Sequence, residues 1–260
     1  MFSHDGKGTI EEIAQEAIKN NLSGFAITDH CDCEYADDKE MLNNLALSFK
    51  NTDYYKKLYK NNLIILTGIE IGEAIFNPMF AKKMIESKNF DMVLGSVHAV
   101  RKENFDMPFS TIDFSTFNIS FIEDYISQYF IDLLETAITT DYDVLSHLTV
   151  IYRYIIHKFG IEIDASKHLP IIEKILIQVI NRNKTLEINT SGFHYGYLMP
   201  DLDIIKMYKA LGGKSISLGS DAHIPNNISL GLYETAQVLK QNGFNCLTYY
   251  SERKPIEYKF

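Results

Sequence analysis

The sequence is poor in cysteine and has no long hydrophobic run, and each shortage excludes a class of protein. It has three cysteines, an odd and small number that does not fit a disulfide framework, so we expect reduced thiols. No apolar stretch approaches the ~20 residues that a membrane helix needs. The N-terminus also lacks the basic start and apolar segment of a secretory signal. We therefore expect a cytoplasmic protein without a membrane partner.

Positive charge is scarce as well. The chain has 25 Lys and Arg against 34 Asp and Glu, a net charge of −9. Polyanions are attracted by basic surfaces, so a nucleic-acid partner is disfavoured. An acidic protein can still bind a small phosphate ester if metal ions or a well-placed arginine supply local positive charge. The 260 residues, 46% of them hydrophobic, suffice for one α/β barrel, and we predict a single domain over residues 1–260.

Short apolar runs alternate with helical segments along the chain. The pattern predicts strands at 25–27, 63–66, 92–94, 144–145, 186–188 and 216–218, and helices near 9–21, 38–60, 119–139, 169–182, 201–210 and 228–242. Strands that alternate with helices imply parallel pairing, because a parallel connection needs a long crossover. An open doubly wound sheet and a closed barrel both fit, but no G-x-G-x-x-G loop supports a dinucleotide fold.

Six predicted strands in succession end in residues that can bind a metal ion. These are Asp29 with His30, Glu70, His98, His147, Asn189 with Thr190, and Asp221 with His223. In a barrel of parallel strands all carboxyl ends point to one face, where active sites are built. A single histidine after a strand is more often a hydrogen-bonded structural residue, but this coincidence indicates a shared pocket. Histidine and carboxylate without paired cysteines suit zinc, manganese or iron.

The same segments resemble the motifs of the PHP (polymerase and histidinol phosphatase) family. The matching segments are Ile27–His30, Gly68–Glu70, Gly95–His98, Ser146–Leu148, Glu187–Gly192 and Gly219–His223. The resemblance covers most of the chain and implies a distorted (β/α)7 barrel of the TIM type. It also implies two to three divalent metal ions, zinc, manganese or iron.

The resemblance further implies how the ligands are shared among three metal sites. Glu70 would bridge the first and second sites, and Asp221 would belong to the first. The second site would be completed by His98 and His147. The third would be formed by Asp5, His30 and His223.

The chain departs from the family pattern at its beginning. The family opens with a strand that ends in His-x-His, followed by a loop that resembles Phe2–Gly6. The two histidines would therefore precede Met1, and His4 lies at a variable loop position that is not expected to replace them. We expect the first strand to be missing and the first metal site to be impaired. A late start codon, a truncated sequence or a degenerate protein would each explain this.

Within the family, the chain resembles the histidinol-phosphatase branch in its length, its Glu187–Gly192 segment and its tail from Tyr249 to Tyr258. That branch hydrolyses L-histidinol phosphate to L-histidinol and phosphate in histidine biosynthesis. Asp221 or His223 would assist proton transfer to the leaving alkoxide. The alternatives are a PHP phosphoesterase for another small phosphate ester, and a degenerate PHP protein with weak or no activity. A polymerase-associated exonuclease is disfavoured by the acidic charge.

Four residues are candidates for substrate binding. Arg153 is the first candidate for a phosphate clamp, because arginine binds phosphate oxygens through two parallel hydrogen bonds, but an exposed arginine is an equally good interpretation. Arg101 is the second candidate, and Asn189 and His194 could also reach the substrate. Two further histidines are predicted to be surface residues, His157 and His168.

Overall fold

A computed structural model describes residues 5–105 and 107–259, so that His4 lies outside the described residues. Its centre is a curled, mostly parallel sheet of seven strands. The strands are β1 (Gly24–Ile27), β2 (His30–Asp32), β3 (Ile64–Gly72), β4 (Met92–Ser96), β5 (Val144–Leu145), β6 (Thr185–Asn189) and β7 (Ile216–Gly219). A separate antiparallel hairpin follows, formed by β8 (Cys246–Ser251) and β9 (Lys254–Lys259).

Eight α-helices lie before, between and after the strands of the large sheet in the described part of the chain. They are α1 (Ile10–Lys19), α2 (Lys39–Tyr59), α3 (Pro78–Ile85), α4 (Ile119–Thr139), α5 (Val150–Tyr152), α6 (Leu169–Asn181), α7 (Leu202–Ala210) and α8 (Leu232–Gln241). The short helix α5 continues as a π-helical turn over Arg153–His157. Every strand and helix predicted above is present, although the ends differ by a few residues.

The sheet order is β1-β3-β4-β5-β6-β7, with β2 also paired to β3. Both β1 and β2 run parallel to β3, so they form one interrupted strand. Among the described residues β1 and β7 are the two edges of the sheet and are not paired with each other. The α/β fold is thus a half-barrel with the curvature of a distorted TIM-like barrel, as predicted.

Helix α1 shows how the sequence determines an element and its packing. The side chain of Thr9 accepts from the backbone of Glu12, and the carboxylate of Glu12 accepts from the backbone of Thr9. This capping box satisfies two amide groups that the first turn would otherwise leave unpaired. The apolar face of the helix, with Ile10 and Ile13, is buried against Phe25 of β1 and Ile65 of β3.

The C-terminal hairpin covers the end of the sheet where the strands begin. Tyr250 is buried with Met92, Leu94 and Val144, which project into the interior of the curled sheet. Its hydroxyl donates to the carbonyl oxygen of Asp143 at 3.1 Å. The hairpin therefore closes the amino ends of the strands and leaves the carboxyl ends open. In the described ranges, no helix is long and apolar enough to span a membrane.

Candidate metal centre

Backbone register brings the predicted ligands together at the carboxyl ends of the strands. His30 of β2 lies directly opposite Glu70 of β3 in the parallel ladder. Glu70 is in turn opposite Leu94 of β4, and His98 is the second residue after that strand. His147 is likewise the second residue after β5. Because parallel strands place all their carboxyl ends at one edge, ligands from distant parts of the chain meet there.

The first cluster consists of Glu70, His98 and His147. The Nε2 atom of His147 is 2.9 Å from Oε1 of Glu70, and the Nε2 atom of His98 is 3.4 Å from the same oxygen. The two Nε2 atoms are 3.3 Å apart. Two imidazole nitrogens and a carboxylate oxygen thus converge on one point, an arrangement that suits a divalent cation. The ligand atoms are close enough together to hold one ion.

The electrostatics of this cluster favour a charged carboxylate. Burial opposes ionisation of Glu70, but His30, His147 and His98 outweigh it and lower the pKa of Glu70 well below its usual range. Burial likewise lowers the pKa of His98, but the carboxylates of Asp32 and Glu70 outweigh it and raise that pKa well above its usual range. The carboxylates that hold a proton on His98 in the absence of metal also attract metal cations, which replace that proton.

A second cluster consists of Asp5, His30 and His223. The Nε2 atom of His223 is 2.8 Å from Oδ2 of Asp5, and the Nε2 atom of His30 is 4.0 Å from that oxygen. The Nδ1 atom of His223 is 2.9 Å from the carbonyl oxygen of Asp221, so we place its proton there as the donor. Without a cation Nε2 donates to Asp5, and this contact raises the pKa of His223 to about 9; a metal ion would replace the Nε2 proton. These three residues can also hold a cation.

Asp221 lies beside Arg153 in the structure. Its Oδ2 atom accepts from the Arg153 guanidinium at 3.3 Å and 3.4 Å and from the Ser191 hydroxyl at 3.3 Å. Its Oδ1 atom is 3.6 Å from Nδ1 of His223. None of the three groups of described residues that could hold a cation includes Asp221. Its predicted roles, as a ligand of the first metal and as a catalytic residue, therefore stay predictions.

Apart from Glu70, the side chains of both clusters line one pocket, and the negative charge of this pocket requires compensation. The lining includes Asp5, Asp32, Asp221 and, at the rim, Asp38 and Glu40. Its one arginine or lysine among the described residues is Arg153. A phosphate ester would be repelled by so many carboxylates unless cations shared the pocket. The donor set and the charge together fit divalent metal ions.

Two buried glutamates hold the backbone of the ligand histidines in place. Oε2 of Glu187 accepts from the backbone amide of His147 at 2.7 Å. Oε1 of Glu73 accepts from the backbone amides of His98 and of Ala99. Burial raises the pKa of Glu187 to about 7 and raises that of Glu73 well above its usual range. The loops after β4 and β5 are therefore pinned at the residue that carries each imidazole.

The other predicted substrate-binding residues lie outside this pocket. The guanidinium of Arg101 is paired with Asp132 and Glu135. Asn189 is buried behind the pocket, where its Oδ1 atom accepts from Ser191. His194 is exposed and does not line the pocket. The structure thus brings only Arg153 of the four candidates to the clusters, and the roles of the other three stay predictions.

The prediction that His168 is a surface residue was wrong. His168 is buried, and its Nδ1 atom is 3.0 Å from the hydroxyl of Tyr152. An aromatic neighbour satisfies the polar ring, so burial does not leave an unpaired donor. His157, by contrast, is exposed as predicted and stacks on Tyr197 with ring centroids 3.6 Å apart.

Sequence reasoning missed Asp32, which lies between the two clusters. Its Oδ1 atom is 3.4 Å from Nδ1 of His98 and 3.7 Å from Nδ1 of His30. A signal was available, because side chains two residues apart on a strand point to the same face, and Asp32 is two residues after His30. The glutamates Glu73 and Glu187 were missed as partners because they bind backbone amides, which no sequence motif marks.

Comparison with known proteins agrees with this geometry. The profile of the PHP domain matches residues 1–191. The probable histidinol-phosphatase of Clostridium acetobutylicum is 30% identical over 260 residues, covering 99% of this chain and 96% of that protein. The probable histidinol-phosphatase of Thermotoga maritima is 29% identical over 95% of this chain and 91% of its own length.

A solved structure shares the fold. It is the histidinol phosphate phosphatase from Lactococcus lactis, complexed with zinc, L-histidinol and phosphate. The two folds superpose with a TM-score of 0.79 at 24% sequence identity, over 98% of this chain and 95% of that one. Fold and site together define an α/β protein of the TIM-like barrel type with a candidate metal centre at the carboxyl ends of its strands. The chain belongs to the PHP family.

Proposed function

We propose that this protein is a metal-dependent phosphomonoesterase that hydrolyses L-histidinol phosphate to L-histidinol and phosphate. The observation that carries the proposal is the convergence of Glu70, His98 and His147 beside a pocket that His98, His147 and Arg153 line. The relatives named histidinol-phosphatase, which match nearly the whole chain, support the choice of substrate. The expectation of a cytoplasmic location stays a prediction.

Each cluster would hold one divalent cation, of zinc, manganese or iron. Glu70, His98 and His147 would hold one ion, and Asp5, His30 and His223 another. A third, bound to Glu70 and Asp221, is part of the proposal, although Asp221 is paired with Arg153 in the structure. Bound divalent cations neutralise phosphate charge and lower the pKa of a bound water.

The residues of the chain would bind and orient the ester. Arg153 would donate to nonbridging phosphate oxygens, since its guanidinium faces the same pocket as the clusters. Phosphate would then compete with Asp221 for the arginine, and the released carboxylate would accept a proton from the attacking water and pass it to the leaving alkoxide. His223 suits the role of ligand better than that of acid, because its Nδ1 proton is donated to the carbonyl of Asp221.

The proposal is tested by phosphate release from L-histidinol phosphate after the chelator-treated protein is loaded with zinc, manganese or iron. Glu70→Gln removes the charge that the histidines of the first cluster share. Since such metal interactions contribute several kcal/mol, we expect kcat/KM to fall by at least about 100-fold. Glu86→Gln, an exposed change outside the pocket, is the matched control and should leave kcat/KM unchanged.

A panel of small phosphomonoesters distinguishes the second candidate function. If another ester is cleaved faster than histidinol phosphate and Glu70→Gln abolishes that activity, the centre is a phosphatase with a different substrate. If no ester is cleaved with any metal, the degenerate PHP protein is the better description. A Glu70→Gln protein that retains full activity would rule out the proposed centre.

A further inference from the structure

The carboxylate of Asp32 lies between one histidine of each cluster. Its Oδ1 atom is 3.4 Å from Nδ1 of His98 and 3.7 Å from Nδ1 of His30. The Nε2 atoms on the opposite sides of these two rings face Glu70 and Asp5 respectively. One carboxylate oxygen therefore approaches the rear of two imidazoles that point into different clusters.

We propose that Asp32 is a shared positioning residue that orients His30 and His98 and so couples the two metal sites. A neutral imidazole has one lone pair and one N–H group. If Nε2 binds a cation, Nδ1 must carry the proton, and a carboxylate is the usual acceptor for it. Asp32 would set this tautomer in both rings at once. The inference rests on the metal centre of the proposed function.

The position of Asp32 is fixed by its neighbours on the sheet. Asp32 is directly opposite Gly72 in the ladder between β2 and β3. A Cβ atom at residue 72 would lie 2.3 Å from Oδ1 of Asp32 and 3.2 Å from Nδ1 of His98. The contact between carboxylate and imidazole thus depends on a glycine at residue 72. Among the described residues, no lysine or arginine forms an ion pair with Asp32, and His30 and His98 are the basic side chains that it contacts.

Other carboxylates also face these rings. Oε2 of Glu70 is 3.5 Å from Nδ1 of His30, and Oε1 of Glu73 is 3.9 Å from Nδ1 of His98. Glu70 contacts His147 through its other oxygen, Oε1, and Oε1 of Glu73 accepts from two backbone amides. Glu70 faces Nδ1 of His30 but Nε2 of His98, whereas Asp32 faces Nδ1 of both rings. Contacts of 3.4–3.7 Å around a reactive site commonly shorten when the ligand binds.

A direct role of Asp32 as a metal ligand is the competing interpretation. His30, Asp32 and His98 are close enough together to hold an ion themselves. Such an ion would use the Nδ1 atoms, and each ring would then need to lose its remaining proton in order to serve its own cluster through Nε2. A positioning role needs no such doubly bound ring, and the geometry favours it.

The test measures metal binding rather than turnover. Chelator-treated wild-type protein, Asp32→Ala and Asp32→Asn are titrated with Zn²⁺ in a calorimeter, and Asp37→Ala, an exposed change on the same segment, is the matched control. Loss of a carboxylate behind a ligand histidine typically weakens metal binding by about 10- to 100-fold. In Asp32→Ala we expect this loss of zinc affinity for both bound zinc ions. We expect a smaller loss in Asp32→Asn and no loss in Asp37→Ala.

The tautomers of His30 and His98 provide a second readout, which would not change if Asp32 had only a structural role. In zinc-loaded wild-type protein, ¹⁵N shifts should place the proton of both His30 and His98 on Nδ1, and Asp32→Ala should disturb both. Gly72→Ala leaves Asp32 in the sequence but crowds both its carboxylate and the His98 ring, so it should also weaken zinc binding. Weaker binding of one equivalent only, or unchanged affinity, would overturn the shared role. Loss of a whole equivalent from the stoichiometry would make Asp32 a ligand instead.

Failure of this inference is separable from failure of the proposed function. If wild-type protein binds no zinc, the metal centre itself is wrong. If it binds zinc but does not cleave histidinol phosphate, the substrate is wrong and the titration of Asp32 remains valid. Should Asp32→Ala not fold, Asp32→Asn gives the comparison.

Discussion

Arg153 pairs with protein groups in the structure and, under the proposed function, would pair with phosphate instead. It donates to Asp221 and to Ser191 in the structure. Burial lowers the pKa of its guanidinium, but Asp221 outweighs this effect and raises it. A charge that is half-buried and held in place, and that faces a pocket lined by carboxylates, is suited to exchange one anion for another.

We therefore expect Arg153→Lys to weaken catalysis with histidinol phosphate. Lysine keeps the charge but cannot donate two parallel hydrogen bonds. A hydrogen bond to a charged group contributes about 1.5–3 kcal/mol, so kcat/KM should fall by about 10- to 100-fold. Steady-state kinetics check this.

The matched control is Arg101→Lys. Its guanidinium pairs with Asp132 and Glu135 outside the pocket, so kcat/KM should stay within about twofold of wild type. An equal loss in both variants would show that the arginine at residue 153 acts through the fold rather than through phosphate.

Asp91 connects three elements at the amino ends of the strands. Its Oδ2 atom accepts from the backbone amide of Thr67 in β3 at 2.8 Å and from Lys56 in α2 at 2.6 Å. Its Oδ1 atom accepts from the backbone amide of Glu252 in the turn of the C-terminal hairpin. One buried carboxylate thus joins the sheet, a helix and the hairpin.

The pKa of Asp91 predicts how stability changes in acid. Burial raises that pKa, but Lys56, Thr67 and the amide of Glu252 outweigh it and lower the pKa below its usual value of about 3.9. A group with a depressed folded pKa stabilises the protein above its unfolded pKa, and the stabilisation is lost as the pH falls through the folded pKa. Asp91→Asn should therefore lower the free energy of unfolding at about pH 6 by about 2 kcal/mol.

Urea unfolding of chelator-treated protein at several pH values measures this difference. The gap between wild type and Asp91→Asn should narrow as the pH falls below about 4, because Asp91 then becomes protonated in the unfolded state, and at still lower pH in the folded state as well. Asp37→Asn, at an exposed position, should show no gap at any pH. A gap that is constant from about pH 6 to about pH 3 would contradict the role of the charge.

The elements show where sequence reasoning succeeds. The strands with continuous apolar runs and the helices with a buried face were predicted, because burial leaves a periodic pattern. The hairpin strand β9 was missed, because all six of its residues are exposed and no pattern marks them. Strand β2 was missed because it has three residues and completes an interrupted strand. Helix α3 carries a signal, Asn77 followed by Pro78, that was available but not used.

At the scale of the whole molecule, the residues of the candidate site come from distant parts of the sequence, from Asp5 to His223. One hydrophobic cluster extends from Cys31 to Phe244, in keeping with the single domain predicted over residues 1–260, which stays a prediction. The ligand residues could be predicted because their residue types and their positions after the strands are visible in the sequence. The pairing of Asp221 with Arg153 and the position of Asp32 could not be predicted, because they depend on distances between side chains.

Metal removal should destabilise the whole fold if the clusters hold cations. A ligand at 100 times its dissociation constant stabilises a protein by about 2.7 kcal/mol, which for a chain of this size is a rise in Tm of about 5–10 °C. We expect chelator treatment to lower Tm by that amount and zinc to restore it. Differential scanning calorimetry checks this.

The same measurement on Glu70→Gln gives the specificity of the effect. The variant should lose most of the zinc-dependent rise, because the first cluster loses its charge. The control Glu86→Gln should keep the full rise. An identical Tm for wild-type protein with chelator and with zinc would show that the clusters do not bind the ion in the folded state.

The hairpin that closes the amino ends of the strands has a consequence for engineering. Proteins often trade activity for stability when the two depend on the same residues. Here the contacts of Tyr250 and Asp91 lie at one end of the half-barrel, and the ligand side chains lie at the other. Thermostabilising substitutions in the hairpin should therefore be tolerated without loss of turnover. The hairpin is the region where substitutions that raise thermal stability should be tried first.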